Sequence, residues 1–233
     1  MGAGQSRPSR RMLSWMQLSG TTSWKMSADE PQSLLIALYV RDVSALSPRM
    51  DPELPPLEPA VIGGERHSST HTASAQWADW WRELLGGGGF WPDEKNPAHL
   101  SRLINDPDIQ RLFYWPSRHA APEFAGMSTM PELQALMRRH HDAAVAWSGA
   151  RKREFVALTS TRQRVSLEWD IVKTVERAVG RPARPFELDI RVLPVGAVQG
   201  WRLSATRALV TRALFTNPSR YREWLIPIVE ELA

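Results

Sequence analysis

Apolar residues recur with helical spacing along most of this chain and alternate strictly in one place. Leu34, Leu35, Ile36, Leu38, Tyr39, Val40, Val43 and Leu46 form a run of about a dozen residues, a length that favours a helix over a strand. Trp77, Trp80, Trp81, Leu84 and Leu85 fall at i, i+3, i+4, i+7 and i+8, so a short amphipathic helix is predicted over 76–85, with Gly86 to Gly89 ending it. Pro97 to Asn105 and Pro107 to Tyr114 read as short helices between the Phe90-Trp91-Pro92 and Phe113-Tyr114-Trp115-Pro116 sequences. Pro131 opens a longer helix through Leu133, Leu136, Met137, His140, Ala144 and Trp147, with Ser148-Gly149 a candidate interruption before Arg151 to Leu158. Another helix is expected over 166–179, its buried side carrying Trp169, Val172, Val175 and Val179, with Gly180 as the stop. Asn217-Pro218 starts the last helix, striped by Tyr221, Trp224, Leu225, Ile228, Val229 and Leu232 and interrupted by Pro227.

The strict alternation lies at Phe186 to Leu193, where Phe186, Leu188, Ile190 and Val192 oppose Glu187, Asp189 and Arg191, the pattern of a half-buried strand. A turn over Pro194 to Gly200 would return the chain as Trp201 to Leu203, making a hairpin that must lean on helices. Ser204 would then cap a helix running to Phe215. The expected fold class is α+β, mainly α: a helical domain with a short C-terminal antiparallel β-hairpin. Residues 1–26 read as a disordered basic extension, and 27–233 as a single domain carrying a Pro-rich loop at 47–74.

Composition changes this picture in two respects. Eleven tryptophans and no cysteine in 233 residues point to a core built around indoles and exclude disulfides, thiol nucleophiles and Cys-based zinc sites. The formal charge is +4, yet residues 1–25 hold Arg7, Arg10, Arg11 and Lys25 and no acid. Without them the body is neutral and exerts no net pull on a polyanion. Arginine outnumbers lysine 25 to 4, a bias that accompanies GC-rich coding. No apolar run approaches the roughly 18–20 residues that cross a bilayer, so a soluble, cytoplasmic protein is expected. Met1 to Ser6 fits a myristoylation pattern and Ser9-Arg10-Arg11-Met12-Leu13 the start of a twin-arginine signal, while Met26 offers an alternative start; an extension without targeting role is the favoured reading.

Leu193-Pro194-Val195, Gly200-Trp201-Arg202-Leu203-Ser204 and Asn217-Pro218-Ser219-Arg220-Tyr221 resemble a family of uncharacterised proteins from high-GC actinobacteria. The resemblance covers only the C-terminal quarter. It implies a bacterial cytosolic origin and carries no activity and no site residues.

Candidate chemistry is sparse. Glu65, His67 and His71 could be drawn as a metal site, but the Gly/Ser/Thr context argues for a loop, and no metal or cofactor is expected. His140 and His141 point about 100° apart on a helix and cannot converge on one proton, so no catalytic residue is assigned. The densest basic stretch, Arg138, Arg139, Arg151, Lys152, Arg153, Arg162 and Arg164, could contact phosphates, with Trp147 and Phe155 as stacking rings. Trp77, Trp81, Trp91 and Trp115 could instead present rings to a partner, although rings at helical spacing more often pack inward. A non-enzymatic protein-interaction module with an unidentified protein partner is therefore the leading expectation. A nucleic-acid binder using 138–164 is the alternative, and an enzyme with a scattered site comes third.

Overall fold

The computed structural model describes residues 17–20, 24–61, 71–86, 121–160 and 162–233. They are mainly helical, with one five-stranded sheet. The helices are α1 (Gln32–Val43), α2 (His71–Gly86), α3 (Pro131–Thr159), α4 (Arg162–Val179), α5 (Arg212–Phe215) and α6 (Pro218–Leu232). The strands are β1 (Gln17–Gly20), β2 (Trp24–Asp29), β3 (Phe186–Leu193), β4 (Gly200–Arg202) and β5 (Arg207–Thr211). Two compact units result: one joins Met1–Pro31 to Gly149–Ala233, and the other is Gln32–Ser148.

The first unit is built on the sheet, in the order β1-β2-β3-β5-β4. β2, β3 and β5 run parallel, while β1 and β4 pair antiparallel at the two edges. Alternation decides which face is buried. Trp24, Met26 and Ala28 of β2 join Phe186, Leu188, Ile190 and Val192 of β3 in one core with Ile171, Val172 and Val175 of α4 and Tyr221, Leu225 and Val229 of α6. Each such side chain contributes about 1.5–3 kcal/mol on burial, several times any helix-propensity difference, so packing sets the position of α4 and α6. Local signals then fix the ends. Gly180, at φ +74°, closes α4 with its N–H on the Glu176 carbonyl, and Asn217 caps α6 by accepting from the Arg220 N–H.

Several expectations change here. β1 and β2 occupy 17–20 and 24–29, so ordered strands lie where a disordered basic extension over 1–26 was expected. Phe186–Leu193 is a strand as predicted, but its neighbours are β2 and β5, both parallel to it, rather than the Trp201 segment. The C-terminal antiparallel hairpin is β4 with β5, and Arg207–Thr211 is a strand where a helix from Ser204 was expected. α3 is continuous through Ser148 and Gly149. On α4 the buried stripe is Leu167, Ile171, Val172 and Val175, whereas Trp169 and Val179 are 39% and 46% exposed. The predicted helices over 97–114 and the sequence patterns of residues 1–13 lie outside the described residues.

In the second unit α1, buried at Leu34, Leu35, Ile36, Ala37, Leu38 and Val40, packs with α2, whose Trp77, Trp80 and Trp81 are buried, and Leu133 and Met137 of α3 are buried too. Trp77 donates its indole N–H to the Ala37 carbonyl (2.7 Å) and stacks on Trp81, the centroids 5.2 Å apart. Part of the Pro-rich loop is tied down. Buried Arg41 donates to the carbonyls of Leu54 (3.1 Å) and Pro55 (2.7 Å), and Asp42 accepts the Leu57 N–H (2.6 Å), so residues 54–57 lie along α1 with Leu54 and Leu57 inside. α2 begins at His71, inside the stretch assigned to that loop, and 62–70 lie outside the described residues.

Two positions carry a glycine argument. α1 ends with the Leu46 N–H on the Arg41 carbonyl and the Ala45 N–H on the Asp42 carbonyl, which places Ala45 in the left-handed region at φ 52°. Glycine suits that conformation, so Ala45→Gly is expected to raise the stability of the Gln32–Ser148 unit by about 0.5–1 kcal/mol in urea unfolding. Gly200 is the converse case. A Cβ there would lie 2.5 Å from Cε2 and 2.6 Å from Nε1 of Trp224. Gly200→Ala should therefore cost about 1–3 kcal/mol, and a Trp224→Leu background should remove most of that loss.

Candidate functional site

The carboxyl ends of parallel strands are where open α/β sheets expose chain ends to a ligand, and in the first unit they carry a dense cluster of charge. β2 ends in Asp29, followed by Glu30, and both side chains are buried, at 2% and 0% exposure. β5 ends in Thr211, whose hydroxyl accepts from the N–H groups of Gln199 (3.1 Å) and Leu214 (3.2 Å) and so starts α5 with Arg212 in its first turn. The last third of α3 supplies Arg151, Lys152 and Glu154.

Arg212 is the hub. Its Nε donates to Glu30 Oε1 (2.7 Å) and its Nη2 to Glu30 Oε2 (2.6 Å), a fork-on-fork pair. Nη1 reaches Glu154 Oε2 (3.0 Å), and Nη2 also reaches the Arg151 carbonyl (3.3 Å). Arg151 pairs with Glu154 at 2.5 Å. Lys152 forms an ion pair with Asp29 and donates to the Glu30 carbonyl (3.1 Å), its ammonium 5.9 Å above the Phe155 ring. On β3, Arg191 pairs with Asp189, which also accepts from the Ser27 hydroxyl (3.0 Å), and strand register sets Asp29 opposite Arg191. Four carboxylates thus meet four cations, drawn from β2, β3, α3 and α5.

Burial pushes the Asp29 carboxyl up from its ordinary value, against the opposing pull of Lys152 and Arg191. Glu30 is raised for the same reason, opposed by its hydrogen bonds and charge interaction with Arg212. Burial alone would lower Arg212, but the hydrogen bonds and charges of Glu30 and Glu154 outweigh it and hold the guanidinium cationic. Such a cluster joins elements: removing one partner strands a buried charge, which costs about 3–5 kcal/mol.

The residues singled out from the sequence scatter. Arg151 and Lys152 enter the cluster. Arg138 donates to the Glu123 carbonyl of its own unit (2.9 Å), Arg139 and Arg153 are exposed, and Arg162 and Arg164 lie in the first turn of α4. Trp77 and Trp81 are interior, at 0% and 3% exposure, which corrects their assignment to a partner-facing platform: their ring area is used in the core. Trp91 and Trp115, like Glu65 and His67, lie outside the described residues. Among the described residues no three potential ligands gather as a metal site, and no helix is long and apolar enough to cross a membrane. Sequence reasoning missed Asp29, Glu30, Glu154, Asp189, Arg191 and Arg212. The available signal was Asp29-Glu30 closing the apolar-polar alternation of Trp24 to Ala28.

The raised carboxyls give a pH test with a definite sign. A group whose value rises on folding adds stability below its unfolded value, here about 3.8 for Asp29 and 4.5 for Glu30, and loses it as pH climbs through the raised value. The urea midpoint of the wild type should therefore fall from pH 4 towards neutrality relative to that of an Asp29→Asn/Glu30→Gln variant. Glu176, lowered by its hydrogen bond to Lys173, has the opposite sign but is common to both proteins and cancels. Parallel midpoint curves would refute the assignment. No protein-family model matches this chain, and no curated protein or solved structure matches it either.

Proposed function

We propose that the protein is a non-enzymatic interaction module that engages a protein partner through α4, with Trp169 as the anchor. The observation that carries this reading is the setting of that indole. Trp169 is 39% exposed, yet it rests on buried Trp24 with ring centroids 5.7 Å apart, and the Lys173 ammonium stands 5.2 Å from its ring. A large ring held in place before binding loses little entropy on contact, which is why tryptophan dominates binding hot spots. A cytoplasmic setting goes with this reading on the strength of the actinobacterial resemblance alone.

The nucleic-acid alternative draws on the same basic stretch as before, but the contacts argue against it. Arg151 and Lys152 are engaged with Glu154 and Asp29, and Arg138 holds a backbone carbonyl, which leaves exposed Arg139 and Arg153 as the main contributors in 138–153. Each cation committed to such a contact is one phosphate contact fewer, with a shallower salt dependence to match.

The two readings separate experimentally. A photo-crosslinking residue at exposed Asp170, beside the anchor indole, should capture a discrete protein in cells, and the same residue at exposed Val198 should not. Trp169→Ala should weaken binding of that protein by about tenfold or more. A labelled single strand or duplex should show no gel shift at low salt. A shift that fades with added salt and is lost in Arg139→Ala/Arg153→Ala would replace the proposal with the alternative.

A further inference from the structure

The Gln32–Ser148 unit interrupts the other unit in sequence, entering after Pro31 and leaving before Gly149. Its first and last residues meet: Gln32 Nε2 donates to Ser148 Oγ at 3.3 Å, and that hydroxyl in turn donates to the Val145 carbonyl (2.9 Å). A segment whose ends already touch meets the geometric condition for an inserted domain, because its host needs only to bridge a short gap. Within it Leu35, Leu38, Trp77, Trp80, Phe124 and Leu133 are all buried, and Trp77 ties α2 to α1 through the Ala37 carbonyl. Polar contacts hold its elements to one another as well. Arg41 holds the carbonyls of residues 54 and 55, and the Gln76 side chain accepts the Leu133 N–H in the first turn of α3 (2.9 Å).

One covalent element runs through the exit point, and it is weakest there. α3 continues from Ser148 into Gly149, and glycine inside a helix costs about 1 kcal/mol relative to alanine. Among the described residues nothing in the packing demands glycine at this position. A Cβ would meet only Arg153 Nη1, at the ordinary contact distance of 3.6 Å, and the backbone is helical. By contrast, a positive φ accounts for Gly180, and the Trp224 indole standing where a Cβ would go accounts for Gly200.

We infer that residues 32–148 are an inserted domain that folds and unfolds as its own cooperative block, closed by the Gln32–Ser148 contact and uncoupled from the host at Gly149. Cooperativity along a helix passes from turn to turn through its hydrogen bonds, so a locally weak turn is where one block ends and the next begins.

Native-state hydrogen exchange on the full chain tests this. Leu35→Ala should cut the protection of amides in α1 and α2 by more than about tenfold while leaving β3 and β5 within about twofold of wild type. Ile171→Ala should do the reverse. Should either variant prove too unstable to purify, the milder Leu35→Val and Ile171→Val read the same pattern at smaller amplitude. Gly149→Ala should raise protection across 145–153 and make the effect of Leu35→Ala spread measurably into the host strands. Equal loss of protection in both units, in either direction, would overturn the inference, as would a Gly149→Ala protein with unchanged spread.

Discussion

The clasp of Arg212 on the Glu30 carboxylate is the contact on which the sheet-bearing unit depends. Glu30 follows the last residue of β2, Arg212 follows the last residue of β5, and β3 lies between those strands. A fully buried carboxylate is intolerable without a partner, so the chain that places Glu30 inside must also deliver a guanidinium to it. Glu154 and the Arg151 carbonyl then draw the end of α3 to the same point, and Lys152 secures it on Asp29. Apolar packing would tolerate some sliding of α3 over the core. Directional, charge-assisted hydrogen bonds do not, which makes the cluster a device for specifying one arrangement of strands and helix.

This division of labour explains what could be read from the residues and what could not. Elements whose signal is local were legible: α1, α2, α6 and β3 follow from apolar periodicity, and Asn217 and Gly180 mark ends through caps that need only neighbouring residues. Pairing was not legible, because it is decided far away. β3 prefers β2, some 160 positions earlier, over the nearby Trp201 segment, since β2 and β5 on either side bury both of its edges and all four of its inward side chains. Trp24 to Asp29 did alternate, but the run of arginines before it suggested a tail. Arg207 to Thr211 looked helical by composition, and only its place beside β3 makes it a strand.

The site was less legible still. Charged residues in a sequence are read as solvated by default, and only the place of Glu30 just past the alternation of Trp24 to Ala28 separates it, completely buried, from Glu187, exposed on β3. Burial of Glu30 follows from the arrival of Arg212, 182 positions away. The basic stretch of α3 shows the same limitation from the other side. Its cations looked available because the acids that neutralise two of them come from β2 and from one turn along the helix. Tryptophan content was informative about the core and misleading about the surface. Of the rings proposed for display, Trp77 and Trp81 are inside, whereas Trp169, expected on the buried side of its helix, is exposed.

The stacked pair of Trp77 and Trp81 has a spectroscopic consequence. Two indoles 5.2 Å apart with planes 12° from parallel have transition dipoles close enough to mix, so excitation is shared between them instead of residing on either ring. Far-ultraviolet circular dichroism of this protein will then contain an aromatic couplet superimposed on the amide bands. Helix content deduced from ellipticity alone would be biased, and the couplet itself would report, independently of backbone order, whether the interior around α2 is intact.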